Sequence, residues 1–144
     1  MATKTLHELS ETMRKIDFCT LFTRTEGGAL AGRPMSNNGD VEYEGDSYFF
    51  TYEEARTVSD IERDENVAMS FRGNEGLLGK PPIFITIEGK AEAIREKAQF
   101  EAHYTKDLDR WFEQGTDTPG LVLLKVHASR IHYWDGEEEG ELTV

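Results

Sequence analysis

The sequence has one cysteine, four prolines and only 16 Lys and Arg residues against 28 Asp and Glu. A single thiol excludes an internal disulfide. Cys19 lies in the run Ile16-Asp17-Phe18-Cys19-Thr20-Leu21-Phe22, whose apolar and aromatic company reads as a strand interior holding a core thiol rather than a reactive one. The deficit of basic residues leaves a net charge of −12, which argues against a surface that holds a polyanionic duplex or an anionic membrane. Neither nucleic acid nor a membrane is an expected partner, and any phosphate bound here needs a specific cradle of donors. No stretch approaches the roughly 18 apolar residues of a membrane span. Met1 to Arg14 also lacks an apolar signal core, so a cytoplasmic location is the expectation.

The common catalytic arrangements are missing as well. His7, His103, His127 and His132 include no pair at the i, i+4 spacing of a helical zinc site, and no cysteine cluster supports them. There is no Gly-x-Ser-x-Gly elbow, and Gly73, Gly76 and Gly79 lack the Gly-Lys-Ser/Thr ending of a phosphate loop. The chain is therefore either a cofactor protein, whose chemistry resides in the bound molecule, or not an enzyme.

What the sequence does contain is enough apolar material, 38% of 144 residues, for one domain with a sizeable core. Leu6, Leu9, Met13 and Ile16 stand at helical spacing, which predicts an amphipathic helix over about 4–16 with Thr3 or Thr5 as its cap. Phe18 to Arg24 reads as a strand. After the turn Glu26-Gly27-Gly28, Ala29 to Met35 returns as a hairpin arm that Pro34 confines to an edge. Turn residues over 36–40 and 44–46 bracket a short extended piece, Val41 to Tyr43, and Ser47 to Thr51 is a strand. A short helix over Glu53 to Asp64 follows, then a strand over Val67 to Phe71 and a glycine-rich loop over Arg72 to Lys80. Pro82 to Glu92 is a long strand with Gly89 as a bulge, Arg95 to Phe112 is helical, and Leu121 to Val126 and Arg130 to Trp134 are the last strands. Six or seven strands joined mostly by turns make a mainly antiparallel sheet able to close into a barrel, with two or three peripheral helices. The domain spans 1–135. Residues 136–144, which with Asp135 carry five acids and no base, read as a solvated, mobile tail.

Three segments carry candidate chemistry. Arg33-Pro34-Met35 sets a guanidinium fork beside a residue without an N–H, suited to an anionic or heteroaromatic ligand along a strand; an exposed edge arginine explains it equally. Phe50-Thr51 runs toward a helix bearing Arg56 and Thr57, where a hydroxyl, a guanidinium and backbone amides can converge on a phosphate; Arg56 can also simply answer Glu53 or Asp60. Ile131-His132-Tyr133-Trp134 is aromatic enough to cover a flat ring or to serve as a closing strand.

In order and spacing these segments resemble the flavin-binding split barrels related to pyridoxamine 5′-phosphate oxidase, most closely the bacterial general stress protein branch. The likeness also takes in Phe22-Thr23, Tyr48-Phe49-Phe50-Thr51, Val58 to Val67, Ile87 to Glu92, Trp111-Phe112 and Tyr133-Trp134-Asp135, and it covers nearly the whole chain. It implies a six- to seven-stranded antiparallel split barrel, a homodimer, and FMN or FAD at the dimer interface. Arg33, Pro34 and Met35 would line the ring and ribityl chain, Phe50, Thr51, Arg56 and Thr57 the phosphate end, and Trp134 would pack near the flavin from one subunit or the other. Relatives commonly carry Ser-x-Lys where this chain has Ala55-Arg56-Thr57, and Phe84 stands where the oxidases present a glutamine. No Lys or Arg follows Arg130, so the substrate-phosphate contacts of true pyridoxamine phosphate oxidases are not expected. The resemblance thus implies a flavin-binding stress protein, with or without oxidoreductase activity. Its alternatives are a dimeric module with a weakened flavin site, or a relative that takes haem or a deazaflavin, with His103 and His132 as the imidazoles to test.

Overall fold

The computed structural model describes residues 4–37 and 42–144. Seven strands follow in chain order: β1 (Phe18–Arg24), β2 (Leu30–Ser36), β3 (Asp46–Tyr52), β4 (Asn66–Arg72), β5 (Phe84–Ile94), β6 (Leu121–Asp135) and β7 (Glu138–Thr143). Three helices accompany them: α1 (Leu6–Met13), α2 (Arg56–Arg63) and α3 (Lys97–His103). All strand pairs are antiparallel, in the order β2-β1-β4-β5-β6-β3, with β7 added on the distal half of β6.

Alternation along the strands builds the core. Cys19 and Leu21 of β1, Val67, Met69 and Phe71 of β4, and Ile85 and Ile87 of β5 all turn to one side, where Leu9 and Met13 of α1 and Val58 and Ile61 of α2 close over them. Cys19 is buried as expected, and desolvation pushes its thiol up to about 12, which keeps it protonated and unreactive. A smaller cluster of Phe50, Phe100, Phe112, Leu121 and Leu123 anchors α3 and the segment after it to the other end of the sheet.

The two long strands explain each other. At Glu88 and Gly89 the register with β6 slips by one residue, and Ser129 is left over as a bulge. A side chain at Gly89 would place its Cβ 2.2 Å from the His127 carbonyl oxygen, so only glycine admits the bulge. That local slip lets Leu121 to Asp135 continue as one strand of 15 residues instead of the two expected pieces.

Other expectations shift for visible reasons. α1 is capped as the sequence suggests, with the Thr5 hydroxyl accepting from the Glu8 N–H and Glu8 accepting from the Thr5 N–H. It stops at Met13, and the Asn37 side-chain amide donates to the Met13 and Ile16 carbonyls at 2.8 and 2.9 Å. The helix expected from Glu53 begins only at Arg56, because the Glu53 N–H is drawn to the Gly120 carbonyl and its carboxylate to Arg95. The long helix expected over Arg95 to Phe112 is in fact α3 followed by a 3-10 turn over Lys106–Arg110. It breaks at Tyr104, whose extended backbone lets its ring meet Phe50 and its hydroxyl donate to Asp109. The extended piece Val41 to Tyr43 and the turn over 36–40 fall partly outside the described residues.

The acidic terminus is the largest correction. It is not a solvated tail: residues 138–143 form β7 on β6, with Leu142 packed on the core. The carboxylates are matched rather than dispersed, since Glu139 meets His132 at 2.7 Å, Glu141 meets Arg130 at 3.0 Å, and Lys4 bridges Asp135 and Glu138. Among the described residues no helix is long and apolar enough to cross a membrane.

If the bulge is what keeps β6 whole, Gly89→Ala destabilises the fold by about 1–3 kcal/mol, the range for an overpacked site. Chemical denaturation at constant m-value measures this, and a stability within 0.5 kcal/mol of wild type (about the scatter of a neutral substitution) would show that the strands accommodate a side chain there.

Candidate functional site

The sheet order ends in β2 on one side and β3 on the other, and these two strands do not pair. Both line the same open cleft of about 440 Å³, inside the range of roughly 300–1,000 Å³ typical of small-molecule sites. One wall is β2 with Arg33, Pro34 and Met35, joined by Phe18 of β1. The opposite wall is β3 with Tyr48, Phe50 and Thr51, and Thr57 enters from the first turn of α2. The roof is the segment after α3, where the Tyr52 hydroxyl donates to the Trp111 carbonyl at 3.3 Å and Phe50 meets Phe100, Tyr104 and Phe112 edge-on.

Six of the eight candidate residues thus line one cavity: Arg33, Pro34, Met35, Phe50, Thr51 and Thr57. Arg56 lies exposed at the start of α2, close enough for its charge to act on Arg33. Trp134 is not in the cleft. It lies on the outer face of β6, 37% exposed, stacked on His132 with ring centroids 4.1 Å apart, and opposite Phe84 of β5. Phe84 is likewise on that outer face, 43% exposed.

The start of α2 has donors to spare. Ala55 fills the N-cap position of α2 and offers no side-chain acceptor, so the N–H groups of Arg56 and Thr57 keep the orphan status that a capping side chain would have removed. An anion placed there meets the positive end of the helix, the Thr57 hydroxyl and the Arg56 guanidinium. Arg33 on the β2 wall is held from within. Arg33 donates to the Thr23 hydroxyl at 2.7 Å and approaches Asp60 at 3.7 Å. Burial pulls the guanidinium below its ordinary value, Asp60 pulls it back, and Arg56 opposes that recovery.

Tyr48, Arg110 and Trp111 are among the cleft residues that the sequence reading did not assign to the site, and His103, named there only as an imidazole for haem, also lines it. His103 stacks flat on Tyr48, with centroids 3.6 Å apart and planes 12° from parallel. The two-residue period through Tyr48, Phe50 and Tyr52 was a usable signal for Tyr48, but nothing local marks a histidine near the end of a helix as the ring that will cover it. His132 sits away from the cleft, its Nε2 engaged by Glu139. Among the described residues no cluster of His, Cys, Asp and Glu could hold a metal ion.

Comparison with known proteins places this geometry. The profile of the family described as pyridoxamine 5′-phosphate oxidase like matches residues 4–144. A protein from Clostridium acetobutylicum related to general stress protein 26 superposes with a TM-score of 0.79 at 17% identity, covering 96% of this chain and 94% of its own. The general stress FMN/FAD binding protein of Xanthomonas citri superposes at 0.71 with 21% identity, covering 95% of both chains. A heme binding protein from Mycobacterium smegmatis gives 0.77 at 15% identity over 99% of this chain and 60% of that one. At these identities the likeness carries the fold, a split barrel. No curated protein sequence matches.

The His103 stack has a pH consequence. Burial and the neighbouring Lys125 hold its imidazole below the ordinary value of 6.5, so the folded state resists protonation more than the unfolded chain does. The stability this represents is present above the unfolded value and is lost as pH falls from there through the lower folded value. His103→Gln therefore shows a smaller loss of stability between about pH 7.5 and about pH 5.5 than wild type. Equal losses in denaturation curves at the two pH values would exclude His103 from the acid response.

Proposed function

Because the chain belongs to the pyridoxamine 5′-phosphate oxidase-like family, we propose that it binds FMN in the cleft between β2 and β3 and acts as a flavin-holding redox protein of the general stress type. The observation that carries this is the open first turn of α2, whose uncapped N–H groups and Thr57 hydroxyl meet a cleft walled by Arg33, with the exposed Arg56 beside it, in a protein of net charge −12. Arg33 and Arg110 line the cleft together with Asp17 and Asp107, and the exposed Arg56 beside it adds a further cation for a phosphate-bearing ligand. The walls suit the rest of the molecule. Phe18, Pro34, Met35 and Trp111 offer apolar surface to a flat ring, and the free edges of β2 and β3 offer backbone groups to its polar rim. The Xanthomonas citri likeness supports the same ligand class.

A bound flavin supplies hydride or single-electron transfer at its ring. The residues around it would orient the ring, hold its phosphate and keep water off one face. Phe84, in place of a polar glutamine, faces away from the cleft. Pyridoxamine phosphate oxidation is accordingly not part of this proposal.

A homodimer completes the site. Phe18, Phe84 and Trp134 project from the outer face of β1, β5 and β6, with Leu30 at the β2 edge 72% exposed. Large exposed apolar side chains gathered on one sheet face mark an interface. The face reaches the cleft at Phe18, which belongs to both. A second copy seated there brings its own Trp134 within the neighbourhood of the flavin, the role the resemblance implies for it.

The test is the absorption spectrum of protein purified without added cofactor, followed by titration with FMN, FAD and haem. Flavin bands, or saturable FMN binding at micromolar concentration or tighter, are expected. Arg56→Ala weakens that binding by about ten- to a hundredfold, the worth of one charge-assisted phosphate contact. A Soret band with no flavin affinity would transfer the cleft to haem, with His103 as its imidazole, and silence toward all three ligands would leave a cofactor-free dimeric module. Independently, Phe84→Glu converts the dimer to monomer in sedimentation at micromolar protein. A wild type that sediments as a monomer would remove the proposed interface.

A further inference from the structure

Two polar side chains are sealed into the otherwise apolar seam between α2 and β1. Thr23 and Asp60 are each 1% exposed, beside Val58 and Ile61. Neither lines the cleft. A carboxylate taken out of water is retained only where it is paired and hydrogen-bonded, and an apolar pair would serve a helix-sheet seam at least as well. Asp60 is paired on both sides: Oδ1 lies 3.4 Å from both terminal nitrogens of Arg63, and Oδ2 accepts the Thr23 hydroxyl at 2.8 Å. That hydroxyl has its proton committed to Asp60 and accepts from Arg33 Nη1 at 2.7 Å, while Nη1 also approaches the Leu21 carbonyl at 3.4 Å and Nη2 lies 3.7 Å from Asp60. The chain of contacts has one direction, from α2 through β1 to the arginine on the cleft wall.

We propose that Thr23 and Asp60 are positioning residues that hold the Arg33 guanidinium in a fixed plane for the anionic or planar ligand of the cleft. A guanidinium has five N–H donors. With Nη1 spent on Thr23 and Leu21 and one side of Nη2 turned to Asp60, the Nε–H and one Nη2 donor remain for a ligand. An arginine already held in place loses less freedom on binding than one that must be gathered from solvent. Asp60 offsets only one of the three charges of Arg33, Arg63 and nearby Arg56. The same helix opens with the uncapped turn at Arg56 and Thr57 and carries Asp60 one turn later, which ties that turn and Arg33 to one rigid element.

The inference rests on the flavin reading for the identity of the ligand, and on the ligand-free chain for the positioning itself, so the two are tested apart. In ligand-free protein, the Arg33 Nε–Hε resonance is followed by NMR in wild type, Thr23→Ser and Thr23→Val, with thermal melts showing that each variant is folded. A protected signal with slow rotation about the Nε–Cζ bond is expected in wild type and Thr23→Ser, and its averaging in Thr23→Val. Asp60→Asn replaces Thr23→Val as the disrupting variant if the latter does not fold. Signals alike in all variants overturn the proposal whether or not FMN binds. For FMN itself, Thr23→Val lowers affinity about three- to tenfold and Thr23→Ser restores it. In an Arg33→Ala background the same Thr23→Val change has less than about a twofold effect, because its influence passes through the arginine. Equal losses in both backgrounds would make Thr23 a packing residue and overturn the positioning role. An absence of FMN binding in wild type, with the Arg33 signal still dependent on Thr23, would remove the flavin reading and leave the positioning intact.

Discussion

The pairing of β6 is the constraint on which the rest of the molecule depends. Its fifteen residues hold β5 along one edge and, on the other, first β3 and then β7. Because β3 takes only the first half, residues 121–127, the sheet turns back on itself through β6 and brings β3 round toward β2, yet the two strands stop short of each other. The cleft is this unclosed seam. Its depth comes from sheet curvature, and its walls are edge strands whose backbone groups are partly unpaired, so a ligand can complete what the barrel leaves open. The Gly89 and Ser129 bulge supplies the slip that lets one strand serve both neighbours.

Charge is arranged to the same end. The acids are numerous but mostly answered where they lie: Arg95 spans Glu53 and Glu62 across the entry and exit of α2, Arg130 spans Glu88 and Glu141 across three strands, and Lys4 answers two acids near the terminus. Such exposed pairs contribute little stability each. Beside the cleft, Arg33, Arg56 and the start of α2 supply positive groups, with Arg33 steadied by the buried Asp60 and Asp17 and Asp107 also in the lining.

Much of the fold was legible because strands and turns announce themselves locally. The two-residue alternation of β1, β4 and β5, the Thr5 to Glu8 cap and the out-of-place glycine in β5 are short-range signals, and they led to the right elements. Where local pattern and tertiary contact competed, contact prevailed. Tyr104 broke a helix that periodicity favoured, because its ring and hydroxyl had better partners in Phe50 and Asp109. The acid-rich terminus became a strand because Arg130, His132 and Lys4 stood across from it and Leu142 had a core to enter. No composition argument applied to residues 136–144 alone contains those partners.

The sequence by itself determined an antiparallel fold with a core thiol, the family resemblance, and the strand-turn-helix segments that bear Arg33, Thr51 and Thr57. Side-chain period and turn chemistry depend on neighbours within a few positions, and those are written in order along the chain. Only the tertiary structure decided which of the candidates share a space. It put Tyr48, His103 and Trp111 into the cleft, turned Trp134 and Phe84 to the outer face, and joined Arg33 to Asp60 across 27 positions of sequence. Convergence of that kind is a property of how the sheet curves and where it fails to close, and it is set by long-range strand pairing that no local window of residues encodes.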